Sequence, residues 1–136
     1  MSIDNPAAIA DIENDVTVIK AVAGQAQLYE TGDTITTTGA VQTLWVSETP
    51  SGLFIPAYLL IDFTNQTVTE TLDIVVYYRI TSGGGYIEFD GDPFTAVQSP
   101  LGKAIVFLPN RYGIKVTIEK TAGTNRAYIW EVWYYA

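Results

Sequence analysis

The sequence contains no cysteine and no histidine in its 136 residues. The first absence removes disulfide frameworks, thiolate nucleophiles and haem attachment, and the two together remove Cys/His zinc sites. Without imidazole, the side chain that most acid–base catalysis relies on is missing as well. Positive charge is scarce: seven Lys and Arg stand against fifteen Asp and Glu, for a formal charge of −8 and a pI near 4.2. A surface of that sign repels phosphate backbones, so nucleic acid is not an expected partner. No uninterrupted apolar run approaches about 18 residues, which argues against a membrane-spanning helix and a membrane partner. The N-terminus also lacks a basic stretch followed by an apolar one, so no secretory signal is expected.

What is present suits one packed core. Hydrophobic residues make up 48% of the chain and aromatic residues 12%, while charged residues reach only 16%. That excludes disorder for the bulk of the chain. The charge is uneven. Residues 1–68 hold eight acids against Lys20 alone, whereas residues 69–136 hold seven acids against six bases. The two halves can therefore meet different partners, or attract each other between subunits.

Only residues 1–24 read as helix, and 25–136 form the expected sandwich domain. Asn5 suits an N-cap and Pro6 a first helical position, while Asp11, Glu13 and Asp15 lie toward the positive end of the helix dipole. Gly24 is a natural stop. Ile9, Ile12, Val16, Ile19 and Ala23 follow spacings of 3, 4, 3 and 4, a heptad seam with β-branched residues at both core positions. A helix this short is marginal alone, so the seam needs cover. Either the body of its own domain supplies it, or the same helix from neighbouring subunits does, in which case trimers or larger bundles are favoured over dimers.

After Gly24 the period changes to two. Leu72, Ile74, Val76, Tyr78 and Ile80 alternate with Asp73, Val75, Tyr77 and Arg79, and Tyr112 to Glu119 alternates in the same way. These are half-buried antiparallel strands. Further strands are expected at 25–30, 33–38, 41–47, 57–64, 86–90, 103–108 and 128–135. Bends are expected at Thr31-Gly32-Asp33, Pro50-Ser51-Gly52, Gly83-Gly84-Gly85, Asp90-Gly91-Asp92-Pro93, Pro109-Asn110 and Ala122-Gly123-Thr124-Asn125. The fold class is all-β: an antiparallel two-sheet β-sandwich, jelly-roll-like, preceded by a short N-terminal α-helix.

Catalytic constellations are sparse. A serine hydrolase without histidine needs a lysine base, and Ser99 with Lys103 falls in an expected loop. No glycine-rich loop opens a helix, so a phosphate cradle is unsupported. No cofactor and no metal are expected. Glu88, Asp90 and Asp92 are the weak candidates for Ca²⁺, since carboxylates two apart on a turn can converge and Glu88 and Asp90 would share a strand face. Acidic turns form for local reasons just as readily. The C-terminal strand is apolar on both sides. Tyr128, Trp130, Val132 and Tyr134 take one face; Ile129, Glu131, Trp133 and Tyr135 take the other. Such a strand is central between covered layers or lies at a subunit interface. Exposed aromatics also stack on sugars, which makes a carbohydrate-binding adhesion module the alternative reading.

The succession of a short Ile/Val helix (Ile12-Glu13-Asn14-Asp15-Val16-Thr17-Val18-Ile19-Lys20), the strands Tyr58–Asn65, Leu72–Ile80 and Tyr112–Ile118, the turn Thr121-Ala122-Gly123-Thr124 and the closing Trp130-Glu131-Val132 resembles the small β-sandwich structural proteins of tailed phages and related archaeal viruses. The resemblance spans most of the chain and rests on strand patterns. It implies a non-enzymatic virion component, assembled in the host cytoplasm. A capsid-decorating protein, head fibre or tail-associated subunit, often a homotrimer, fits that description. Its implied partners are copies of itself, a major capsid or other virion protein, and surface glycans. The residues expected at the oligomer interface are Ile9, Ile12, Val16 and Ile19 of the helix, with Trp133 and Tyr135 of the closing strand.

Overall fold

Eight strands form where the side chains alternate: β1 (Leu28–Thr36), β2 (Gln42–Ser47), β3 (Ile55–Asp62), β4 (Thr71–Tyr78), β5 (Ile87–Thr95), β6 (Gly102–Val106), β7 (Ile114–Ala122) and β8 (Ala127–Tyr135). The computed structural model describes residues 28–47 and 55–135. The helix expected at 1–24, its seam residues Ile9, Ile12, Val16 and Ile19, and the bend at Pro50-Ser51-Gly52 lie outside the described residues.

The strands make two antiparallel four-stranded sheets, ordered β1-β8-β3-β6 (sheet A) and β2-β7-β4-β5 (sheet B). In this order β1 lies beside β8, β2 beside β7, β3 beside β6 and β4 beside β5. The chain is thus one long antiparallel ribbon, folded at the β4–β5 hairpin and wound over two layers, which is jelly-roll topology. Winding alternates the connections between the two ends of the sandwich. The β1–β2, β3–β4, β5–β6 and β7–β8 loops share one end. The β4–β5 and β6–β7 loops share the other, where β1 also enters beside the end of β8 (Leu28 opposite Tyr135).

The core sits between the sheets and follows from period two. Along β4, Leu72, Ile74, Val76 and Tyr78 are buried while Thr71, Asp73, Val75 and Tyr77 face outward. Ile114, Val116 and Ile118 of β7 meet Leu59 and Ile61 of β3 and Tyr128, Trp130 and Val132 of β8 in one apolar cluster. Phe63 anchors one end of it, with Phe94 at 4.9 Å and Tyr128 edge-on at 5.8 Å between ring centres. At the other end Trp45 stacks on Phe107 at 5.9 Å.

Two expected bends are strands. Gly32 lies inside a continuous β1, paired with Glu131. A Cβ there would sit 2.6 Å from the Trp130 carbonyl oxygen, so the glycine serves close approach between strands, not a turn. Asp90-Gly91-Asp92-Pro93 lies inside β5, a sheet edge that among the described residues pairs with β4 alone. An edge tolerates proline and carboxylates because one side of it donates to no neighbour, and such residues discourage pairing with foreign strands. The expected glycine hairpin is present, with Gly83 at φ 68°, joining β4 to β5 through residues 79–86.

Candidate assembly surface

The face of sheet A turned away from the core is read directly from register. From β1 to β6 its rows are Thr34, Ile129, Asp62 and Gly102; then Gly32, Glu131, Leu60 and Ala104; then Glu30, Trp133, Tyr58 and Val106. Ile129 is 60% exposed and Val106 76%. Gly32, Gly102 and Ala104 keep both edge strands low, which leaves Leu60 and Ile129 accessible from the flanks. A shallow groove of about 370 Å³ runs over Leu60, Asp62, Ala104, Ile129 and Glu131. Among the described residues the register puts the acids Glu30, Asp62 and Glu131 on this face, and Lys103 of β6 lines the groove with them.

Trp133 sits half-buried on this face. Its ring lies 6.4 Å from that of Tyr58, and its indole N–H donates to Glu131 Oε1 at 2.9 Å. β8 is therefore a central strand that is apolar on both sides, with its inner face in the core and its outer face uncovered among the described residues. Tyr135 ends the same strand, opposite Leu28 and Ile55. Tyr77 faces outward on the other sheet, where the Lys115 ammonium lies 4.8 Å from its ring.

The acidic trio does not come together. A bulge at Phe89 shifts register so that Asp90 lies opposite Val76 and Glu88 opposite Tyr77. Val76 points into the sandwich and Tyr77 out of it, so Glu88 and Asp90 take opposite faces, contrary to unbroken alternation. Among the described residues no three carboxylates are grouped to hold a metal ion. Ser99 meets Lys103 only through its carbonyl oxygen, which accepts from Nζ at 3.4 Å.

Sequence reasoning missed the strongest polar cluster, at the opposite end from the β4–β5 hairpin. Glu70 is fully buried, and its carboxylate accepts from the Thr67 N–H at 2.9 Å, the Thr67 and Thr69 hydroxyls, and Arg126 Nε at 2.5 Å. The Thr69 hydroxyl foremost, with the Thr67 and Arg126 donors, holds its pKa down at about 2 against the opposing effect of burial. Arg126 in turn exchanges backbone bonds with Thr37: its N–H donates to the Thr37 hydroxyl at 2.9 Å, and its carbonyl accepts the Thr37 N–H at 3.0 Å. Gln66 is buried beside it. Its amide donates to the Phe94 and Ala96 carbonyls, and its oxygen accepts from the Tyr128 hydroxyl at 3.1 Å. Four loops are stitched together in this way. With its lone pairs occupied by four donor groups, the carboxylate is a clamp and not a base. Thr67-Val68-Thr69-Glu70 carries a faint signal, an acid with hydroxyls beside and three before it, but its cation is 56 residues away.

No protein-family model and no curated protein matches the chain. Among solved structures it is similar to the infectious bursal disease virus VP2 subviral particle (14% identity, TM-score 0.45, covering 81% of this chain and 32% of that one). It is likewise similar to structures of the Gx strain (15%, 0.42, 81% and 31%) and the Gt strain (11%, 0.40, 82% and 33%) of that virus. The chain spans about a third of the length of each of these structures.

Proposed function

We propose that this protein is a non-enzymatic structural subunit of a virion, assembling with copies of itself and with other virion proteins through the outer face of sheet A. The observation that carries the reading is the apolar outer face of β8, left uncovered among the described residues, with Ile129 and Trp133 at the centre of a sheet. Apolar area left in water on a central strand favours association, and aromatic residues with few bases suit an interface core. The jelly-roll winding, which viral coats share with lectins and cupins, agrees with the virion component implied by the sequence resemblance. That resemblance makes three the copy number to test, and the residues proposed at the contact are Ile9, Ile12, Val16 and Ile19 of the N-terminal seam with Trp133 and Tyr135 of the closing strand. A glycan-binding module is the competing reading, favoured by the Tyr58–Trp133 ring pair beside Glu131.

Light scattering on the full chain tests the proposal. The native protein should have a mass that is a multiple of 14.9 kDa at micromolar concentration. Ile129→Glu with Val106→Glu should reduce it to one chain with folding stability unchanged to within about 0.5 kcal/mol, since both side chains are exposed. A native protein of single-chain mass contradicts the proposal, as does an assembly untouched by the double substitution. Saturable glycan binding lost in Trp133→Ala, by a native monomer, would favour the adhesion module instead.

A further inference from the structure

A second groove, of about 310 Å³, opens between the β4–β5 and β6–β7 loops at one end of the sandwich. Tyr78 lines it with Phe89 edge-on at 5.4 Å, and Ile80 and Leu108 stand beside them, 58% and 60% exposed. Its walls are fixed in place. The Leu108 N–H donates to the Tyr78 hydroxyl at 2.7 Å, and the Gly113 N–H donates to Asn110 Oδ1 at 3.1 Å. Among the described residues no carboxylate lines it; Asp90, whose charge bears on Tyr78, lies outside the lining. Arg79 is engaged over the Tyr86 ring at 4.5 Å, so the charge that the groove offers a neighbour is that of Arg111, an exposed residue of its lining.

We propose that the outer face of sheet A on one copy seats this groove end of the next copy, with Ile129 and Leu60 against Ile80 and Leu108 and the acids Asp62 and Glu131 toward Arg111. The inference rests on the assembly role proposed above and adds which surface of the neighbour covers the face. Three observations favour it. The first is charge. The face sets Glu30, Asp62 and Glu131 against Lys103 alone, so two such faces laid together would oppose acid to acid, whereas the groove brings an arginine and no acid in its lining. The second is that the sheet edges are guarded. β1 places Asp33 on the core-side row of Trp130, β6 places Lys103 on that of Ile61, β5 carries Pro93 and a bulge, and β2 breaks register between Thr43 and Trp45. Charges on an inner row, proline and bulges keep edges from pairing, which leaves faces and ends for contact. The third is that both patches set exposed aliphatic side chains beside an aromatic ring: Ile129 and Val106 on the face of Trp133, Ile80 and Leu108 beside Phe89. A contact between unlike patches is heterologous. Every copy offers one of each, and the array closes as a ring or runs on as a filament.

Mixing two complementary blocked chains tests the inference. Ile129→Glu with Val106→Glu closes the face, and Ile80→Glu with Leu108→Glu closes the groove. All four side chains are exposed, so urea unfolding of each variant should match that of the native chain. By light scattering each variant alone should have the mass of one chain. Mixed at micromolar concentration, the two should form a species of two chains, because one intact face meets one intact groove. A groove-blocked variant that keeps the native mass overturns the inference while the assembly role stands, and a mixture that stays single-chain overturns it as well. A native protein of single-chain mass removes the assembly role itself, and the inference with it. Arg111→Glu, which leaves the apolar walls whole, gives a second reading. It should raise the concentration of half-assembly about tenfold or more by setting like charges together, and an unmoved midpoint overturns the pairing.

Discussion

The carboxyl of Glu70 ionises at about 2 instead of near 4.5 because the Thr69 hydroxyl, the Thr67 N–H and hydroxyl, and the Arg126 guanidinium donate to it. An unfolded chain takes up that proton at the higher value. The stability that comes from the depressed pKa is therefore complete above about 4.5, and it is lost as the pH falls from there toward about 2. Urea unfolding near neutral pH and at about pH 3 should show the loss, and Glu70→Gln should be less stable than the native protein at neutral pH with a flatter acid dependence. An acid dependence unaltered by the substitution would mean that other carboxylates govern it. None of this was legible beforehand, since Glu70 and Arg126 are brought together by the winding of the ribbon and by nothing local. Gly123 belongs to the same knot. Its φ is 85°, and a Cβ would come within 2.7 Å of the Glu70 Cα, a constraint invisible in a turn that reads as generic.

Strands divide into those that their own sequence specifies and those that their neighbours specify. β4 and β8 alternate so regularly that both faces are legible, and the structure buries Leu72, Ile74, Val76 and Tyr78 on one and Tyr128, Trp130 and Val132 on the other. Ile74→Ala should cost about 2–5 kcal/mol, the usual toll of a buried cavity, while Asp73→Ala one residue earlier should change stability by less than about 1 kcal/mol. Thermal or urea unfolding of the two variants decides the register; similar losses would contradict it. β1 and β5 were less legible for physical reasons. Gly32 signals a turn locally, yet it permits contact with Trp130 across the sheet. Asp90-Gly91-Asp92-Pro93 has turn chemistry, yet the outer edge of sheet B accepts it. The bulge at Phe89 then separates Glu88 from Asp90, which alternation alone would have kept together.

At the scale of the molecule, the sandwich class followed from the number and spacing of strands, but the pairing of first with last and second with next-to-last did not, because it depends on contacts between distant segments. That pairing gives the protein two unlike ends. One is closed by the Glu70–Gln66 network. The other carries exposed Ile80 and Leu108 with Arg79 and Arg111. Between the ends, the outer face of sheet A presents Ile129, Leu60, Trp133 and Val106, with Lys103 in the lining of its groove. Cover of this face by another protein chain is the central claim of the assembly proposed above. Electron cryo-microscopy of assemblies formed by this chain addresses that point most directly. A neighbouring subunit seated over Ile129 and Trp133 is the expected result; an assembly in which that face is open to solvent would contradict the proposed role.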